Sequence, residues 1–211
     1  MAYSPAAGNV LVIAEAGINH NGSLERALTM VDAAADAGAD AVKFQTFRTD
    51  ELVTASAPTA AYQASATGGE TSQATMLRKL ELDRAAHETL IQRCAERGVM
   101  FLSTPFDLPS LDLLSTGLGL GTLKFSSGDL TNGPLLLAAA RTGCRLIVST
   151  GMSTMDEVAQ ALGVIAFGLQ HPEGHPDTPE ALAAARTEPG MQARLIDIVT
   201  LLQCTSAYPT E

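Results

Sequence analysis

Six short runs built mainly from Val, Ile, Leu, Phe and Ala recur along the chain: "VLVIAEAG" (10–17), "ADAVKFQTF" (39–47), "VMFLSTPF" (99–106), "GTLKFSS" (121–127), "RLIVSTG" (145–151) and "VTLLQCTSA" (199–207). They are continuous in hydrophobicity rather than alternating, the pattern of parallel strands covered on both faces. Between them lie segments with helical period. In "SLERALTMVDAAADAG" the apolar positions Leu24, Ala27, Leu28, Val31 and Ala34 fall on one face, Ser23 is placed to cap the start and Gly38 to end it. "DRAAHETLIQRCAERG", "NGPLLLAAARTG" and "TMDEVAQALGVIAFG" repeat that design, each with a polar opener and a glycine stop. His87, inside the second of these helices, reads as a surface residue. The unit repeated about six times is therefore βα.

Two stretches break the rhythm. Residues 48–75, including "TASAPTAAYQASATGGETSQAT", are small and polar and read as one long loop after the second strand. Residues 169–193, "LQHPEGHPDTPEALAAARTEPGMQA", read as an inserted loop with a short helix. His171 and His175 there have the spacing of a helical metal pair, but Pro172 and Gly174 between them disfavour a helix. "GLGLG" (117–121) precedes a strand, the wrong order for a dinucleotide loop, and reads as a helix stop.

Successive βα units with right-handed crossovers give either a doubly wound sheet or a (β/α)8 barrel, and in both the ligand sits at the carboxyl ends of the strands. Each run turns polar at that end: Glu15 and then "AGINHNG" with His20; Lys43, Gln45 and Thr46; Ser103, Thr104 and Asp107; Lys124, Ser126 and Ser127; Ser149, Thr150 and Gly151; Thr205, Ser206 and Tyr208. A single Ser or Thr after a strand is often a helix cap, and His20 is placed either to contact substrate or to stabilise its turn. The lysines are more telling, because two of the three in the chain sit inside strand runs. A buried ammonium needs a partner. Ion pairs to Glu15 and Asp129 would supply one structurally; an anionic ligand bearing phosphate or carboxylate, held also by Ser and Thr hydroxyls and backbone amides, would supply one functionally.

Composition narrows the partners. With 46% hydrophobic and 17% charged residues in 211, the chain has material for one sizeable core, and a formal charge of −10 opposes binding to nucleic acid or anionic membrane. Three widely spaced cysteines, Cys94, Cys144 and Cys204, suggest neither a disulfide framework nor a zinc site but reduced thiols in a cytoplasmic protein. The amino terminus lacks the features of a signal peptide, and no apolar run reaches the roughly 18–20 residues that span a bilayer.

The motifs "VIAEAGINHNGSLERALTMVDAAADAGADAVKFQTF", "FLSTPFD", "LKFSSGDLTNGPLL", "VSTGMST" and "LLQCTSAYPT", in this order, resemble the sialic acid synthase family, which includes N-acetylneuraminate, legionaminate and pseudaminate synthases and spore-coat polysaccharide synthases. The resemblance implies an α/β fold, a TIM (β/α)8 barrel, here truncated after about six βα units, so that 1–211 would be the amino-terminal portion of the synthase domain. It implies condensation of phosphoenolpyruvate with the aldehyde of an N-acylated amino sugar, N-acetylmannosamine or a diacetamido-dideoxy hexose, giving a nine-carbon 2-keto acid and phosphate. By motif, Glu15, Lys43 and Lys124 would be catalytic. Thr104, Ser127, Ser149 and Ser206 would hold phosphoenolpyruvate and Tyr208 would face the sugar, with Gln45, Asp129, Gln73 and His20 as further substrate contacts. "SSGDLTN" is closer to the neuraminate and legionaminate branches.

The same resemblance implies a divalent metal, Mn²⁺ or Mg²⁺, whose histidine ligands stand in later strands, in motifs of the "SDHT" kind that this chain does not contain. It also implies a homodimer completed by a carboxyl-terminal antifreeze-like domain, equally not in this chain. The truncated chain alone is expected to be inactive. Gln203 stands where the family usually has histidine, and Asp129 where it often has glutamate. Two rival readings remain: a Schiff-base lysine aldolase, and a non-catalytic anion-binding module without the metal half.

Overall fold

In the computed structural model, residues 10–54 and 72–205 are described. The chain divides into two compact units, one within Ser4–Ser110 and the other within Leu111–Glu211.

The first unit carries β1 (Ile13–Gly17), α1 (Leu24–Asp36), β2 (Ala41–Thr46), α2 (Thr49–Leu52), α3 (Gln73–Arg78), α4 (Arg84–Arg97) and β3 (Met100–Pro105). Its sheet is parallel in the order β1-β2-β3. Register aligns Glu15 with Lys43 and Lys43 with Leu102, and aligns Gln45 with Thr104. Side chains alternate along a strand and aligned residues share a face, so Glu15, Lys43, Gln45 and Thr104 lie on one side. The other side carries Val42, Phe44, Phe101 and Ser103, buried under α1 and α4, with Phe44 and Phe101 stacked at 5.7 Å.

The caps follow the sequence. The Ser23 hydroxyl accepts from Arg26 N at the start of α1, the Asp83 carboxylate from Ala86 N at the start of α4, and Gly98 ends α4 at φ +70°, a conformation costly for any residue with a Cβ. Of the presumed 48–75 loop, α2 and the first turn of α3, with Gln73, are helical; residues 55–71 lie outside the described residues.

His87 is not on the surface: it is fully buried. Its Nδ1 meets the Asp83 carbonyl at 2.8 Å, its Nε2 meets Thr46 Oγ1 at 2.8 Å, and its edge rests on Phe101. The helical period puts it beside Ala86, Leu90 and Cys94 on the core side of α4, and a polar ring is tolerated there because both nitrogens are satisfied.

A short helix, α5 (Leu108–Asp112), leads through a π-helical turn (Leu113–Gly117) into the second unit. The unit continues with β4 (Thr122–Phe125), a 3₁₀ turn (Ser127–Asp129), α6 (Gly133–Arg141), β5 (Arg145–Ser149), α7 (Met155–Gln170), α8 (Pro179–Thr187), α9 (Met191–Ile198) and β6 (Val199–Leu202). The sheet is again parallel, in the order β4-β5-β6. Leu123, Phe125, Leu146 and Val148 form a dry core with Leu136 of α6 and Ile165 of α7.

Two expectations change here. The 169–193 stretch holds two helices rather than one, because Thr178 and Pro179 start α8 and Gly190, at φ +85°, starts α9. Gly168 does not stop α7, which runs on to Gln170. It is there for proximity instead: a Cβ on it would sit 2.8 Å from Ala140 Cβ and 3.0 Å from the Leu137 carbonyl oxygen of α6. No helix among the described residues is long and apolar enough to cross a membrane.

Candidate active site

The polar strand ends gather into two clusters, one in each unit. In the first, Lys43 Nζ lies 2.5 Å from Glu15 Oε2. The lysine side chain is 11% exposed and the glutamate 54%, so the ammonium is sunk in the sheet face while its partner reaches outward. This is the ion pair that a buried lysine requires. Gly17, at φ +53° in a bulge between β1 and β2, allows the arrangement, since a Cβ there would come within 3.2 Å of Glu15 Oε1. Gln45 lies near the same glycine, its Nε2 3.8 Å from that Cβ position, and Thr104 is buried beside Gln45 in register.

Behind this face, Thr46 Oγ1 bonds both His87 Nε2 and, at 2.7 Å, Ser103 Oγ. The Asp107 carboxylate accepts from the amides of Arg48 and Ser110, each at 2.7 Å. Thr46, Ser103 and Asp107 thus hold the strand ends and loops in place.

His20 is fully buried: Nδ1 accepts from Gly22 N–H at 3.0 Å, and Nε2 is sealed from solvent without a partner among the described residues. Burial, reinforced by the nearby His87, lowers its pKa from the ordinary value. Of the two roles left open for it, the turn is the one the hydrogen bond serves. Gln73 sits at the start of α3 behind the Ser72 cap.

In the second cluster, Lys124 is also buried, and its Nζ donates to Ser149 Oγ and to the Phe125 carbonyl oxygen, each at 2.6 Å. Asp129 is engaged differently from the pairing considered for it: its carboxylate accepts from Ser126 Oγ within the 3₁₀ turn. Next to the lysine and Ser149 stand three more groups. Gly151 N–H donates to Ser127 Oγ at 3.0 Å, Ser127 Oγ lies 3.2 Å from Cys204 Sγ, and the same Gly151 N–H is 3.3 Å from that sulfur.

A Cβ on Gly151 would press on the Cys204 carbonyl oxygen at 3.0 Å, on Ser127 Oγ at 3.1 Å and on Cys204 Sγ at 3.2 Å. Partial burial raises the Cys204 pKa, but hydrogen bonds from Ser127, Gly151, Ser149 and Thr150 together outweigh it and leave the thiol below its ordinary value. An ammonium, two hydroxyls and a backbone amide side by side suit an anionic oxygen ligand. The sequence placed Gly151 at a polar strand end and read Cys204 only as a reduced thiol; their convergence on Ser127 follows from contacts between residues distant in the chain. Ser206 and Tyr208 lie outside the described residues.

A hollow of about 610 Å³ lined by Leu162, Leu195, Ile196, Val199 and Leu201 contains none of the expected site residues. Polar convergence, not volume, marks the candidate site. No group of three or more His, Cys, Asp or Glu gathers among the described residues.

Residues 30–211, which include Lys43 and the whole second cluster, match the family model described as the NeuB family. The chain belongs to the NeuB family. N,N'-diacetyllegionaminic acid synthase of Campylobacter jejuni is 41% identical over 94% of this chain and 52% of its own length. The enzyme of the same name from Legionella pneumophila is 39% identical over 94% of this chain and 49% of its own. Among solved structures, the N-acetylneuraminic acid synthetase of Leptospira borgpetersenii in complex with citrate superimposes with a TM-score of 0.71 at 28% identity, covering 100% of this chain and 62% of that one. The chain spans about half the length of the curated relatives it matches. The chain is an α/β protein whose solved neighbour is of the sialic acid synthase type.

Proposed function

We propose that this chain is the phosphoenolpyruvate-handling part of a nonulosonic acid synthase. Phosphoenolpyruvate, water and the six-carbon aldehyde of an N-acylated amino sugar go in; a nine-carbon 2-keto acid and inorganic phosphate come out. The observation that carries the reading is the second cluster, where Lys124 and Ser149 are joined at 2.6 Å beside Ser127 and the Gly151 amide. Phosphoenolpyruvate carries a carboxylate and a phosphate, and fixed donors hold and orient such charges without reorganising during reaction. Citrate in the Leptospira relative is likewise an anion held in a protein of this kind.

In this reading Lys124, Ser127 and Ser149 grip the anionic groups. Lys43 orients Glu15, whose exposed carboxylate is the proton-transferring group of the reading. Gln45 and Thr104 line the face beside them. Ser206, Tyr208 and Gln73 complete the substrate contacts, and His20 and Asp129 shape the turns that present them. The names of the two relatives near 40% identity favour a diacetamido sugar. A TIM (β/α)8 barrel and a homodimer belong to the reading by resemblance. Mn²⁺ or Mg²⁺ belongs to the reading by resemblance alone.

The test is phosphate release from phosphoenolpyruvate by the protein from the full reading frame, with a panel of mono- and diacetamido sugars. Release with at least one sugar, lost in Lys124→Ala, is the expected result. No release from a folded protein with any sugar would favour the anion-binding module. Borohydride capture of substrate on Lys43 or Lys124 would favour the imine-forming aldolase.

A further inference from the structure

One hydroxyl and one amide in the second cluster have two claimants. Ser127 Oγ and Gly151 N–H are the groups that the proposed function assigns to an anionic ligand, and both lie on Cys204 Sγ, at 3.2 and 3.3 Å. A hydroxyl has a single proton to give. When Cys204 is a thiol, its own S–H faces the Leu202 carbonyl oxygen at 3.8 Å, and the Ser127 proton is available to a ligand. When Cys204 is a thiolate, the sulfur is the strongest acceptor in the cluster, and it draws both donors to itself.

We propose that the Cys204 sulfur and an anionic ligand compete for the Ser127 hydroxyl and the Gly151 amide, so that the thiol form admits the anion and the thiolate form excludes it. The inference rests on the anion-binding reading of this cluster. The hydrogen bonds that hold the thiol below its ordinary value bring the exchange closer to neutral pH. Charged side chains on the elements meeting at Cys204 are Lys124 on β4, Asp129 in the 3₁₀ turn, whose carboxylate is taken by Ser126, and Arg145 at the far end of β5, which pairs with Asp197. A Cβ on Gly151 would crowd Ser127 Oγ at 3.1 Å and Cys204 Sγ at 3.2 Å, so glycine leaves the amide, the hydroxyl and the sulfur in close contact.

Linkage makes the effect reciprocal: what the thiolate does to anion affinity, the anion does to the thiol. The experiment titrates the whole chain with sulfate, whose charge is constant over the range, from pH 7 to 10, and follows iodoacetamide labelling of Cys204 by mass spectrometry. Cys94 and Cys144 are buried and serve as internal references. Above the thiol pKa, sulfate affinity should fall by up to about tenfold per pH unit, the limit for one competing proton. Saturating phosphoenolpyruvate should slow labelling of Cys204 at least about fivefold and move its pH midpoint upward. In Cys204→Ser, neutral-pH affinity should be kept and the alkaline fall removed, an outcome a purely structural cysteine would not produce.

Sulfate affinity that stays level while labelling shows the thiolate forming would overturn the competition and leave the anion site standing. No binding of sulfate or phosphoenolpyruvate at any pH would overturn both. The wild-type series decides the matter even if the serine variant fails to fold.

Discussion

Gly151→Ala separates anion binding from backbone conformation. Gly151 is not in the left-handed region, so alanine can adopt its backbone without strain. What the new methyl meets is the cluster itself: the Cys204 carbonyl oxygen at 3.0 Å, Ser127 Oγ at 3.1 Å and Cys204 Sγ at 3.2 Å. Relief requires the Ser127 hydroxyl and the β6 end to give by a few tenths of an ångström. That stretches the 3.0 Å bond from Gly151 N–H to Ser127 Oγ, a loss of about 0.5–1.5 kcal/mol, and spoils a hydrogen bond to a charged ligand, about 1.5–3 kcal/mol more. The total of about 2–4.5 kcal/mol weakens phosphoenolpyruvate binding from about 30-fold to about 2,000-fold. Calorimetric titration of the two proteins reads this directly, with circular dichroism showing that the variant is folded. Gly133→Ala, where a Cβ meets nothing within 4 Å, is the matched control and should bind like the parent. A Gly151→Ala protein that binds within about twofold of the parent would refute the placement of the ligand against Ser127 and the Gly151 amide.

Two further predictions concern stability. His20 and His87 both have pKa values lowered from 6.5 by burial, so the folded protein binds fewer protons than the unfolded chain once the pH drops below that value. Their contribution is complete above about pH 6.5 and declines as pH falls toward the folded values, by up to about 1.4 kcal/mol per pH unit for each. Urea midpoints at pH 7.5, 6.0 and 5.0 measure it, and a level midpoint would mean that the rings carry charge in the fold; Asp32, held low chiefly by its Arg93 hydrogen bond, titrates below this window. Gly168→Ala pits helix propensity, worth about 1 kcal/mol in favour, against overlap with Ala140 and Leu137 of α6, which costs about 1–3 kcal/mol. A net loss of up to about 2 kcal/mol in urea unfolding is expected, and a gain would show that α6 and α7 can separate at no cost.

The βα alternation was legible because each level of the sequence agrees with the next. Buried parallel strands need continuous apolar runs, and the six runs became six parallel strands. Ser23, Asp83, Asn132 and Thr154 accept from helix amides as their places before the helical segments indicate. Harder to read were features decided by a neighbour distant in sequence. His87 and Thr46 are 41 positions apart, and only their contact turns a polar helix residue into a core one. Gly168 looks like a stop until α6 comes close, and of the two helices that start in the 169–193 stretch only one was legible.

The sequence by itself determined which side chains could do chemistry and at which strand end they stand, since a parallel strand's direction and its period of two follow from local pattern alone. Tertiary structure decided their partners. Lys43 goes to Glu15 across a strand pair, Lys124 to Ser149 across another, and Cys204 to Ser127 over 77 positions. Hydrogen bonds and ion pairs act over about 3 Å, and that distance is fixed by register and packing, which no single stretch of chain encodes.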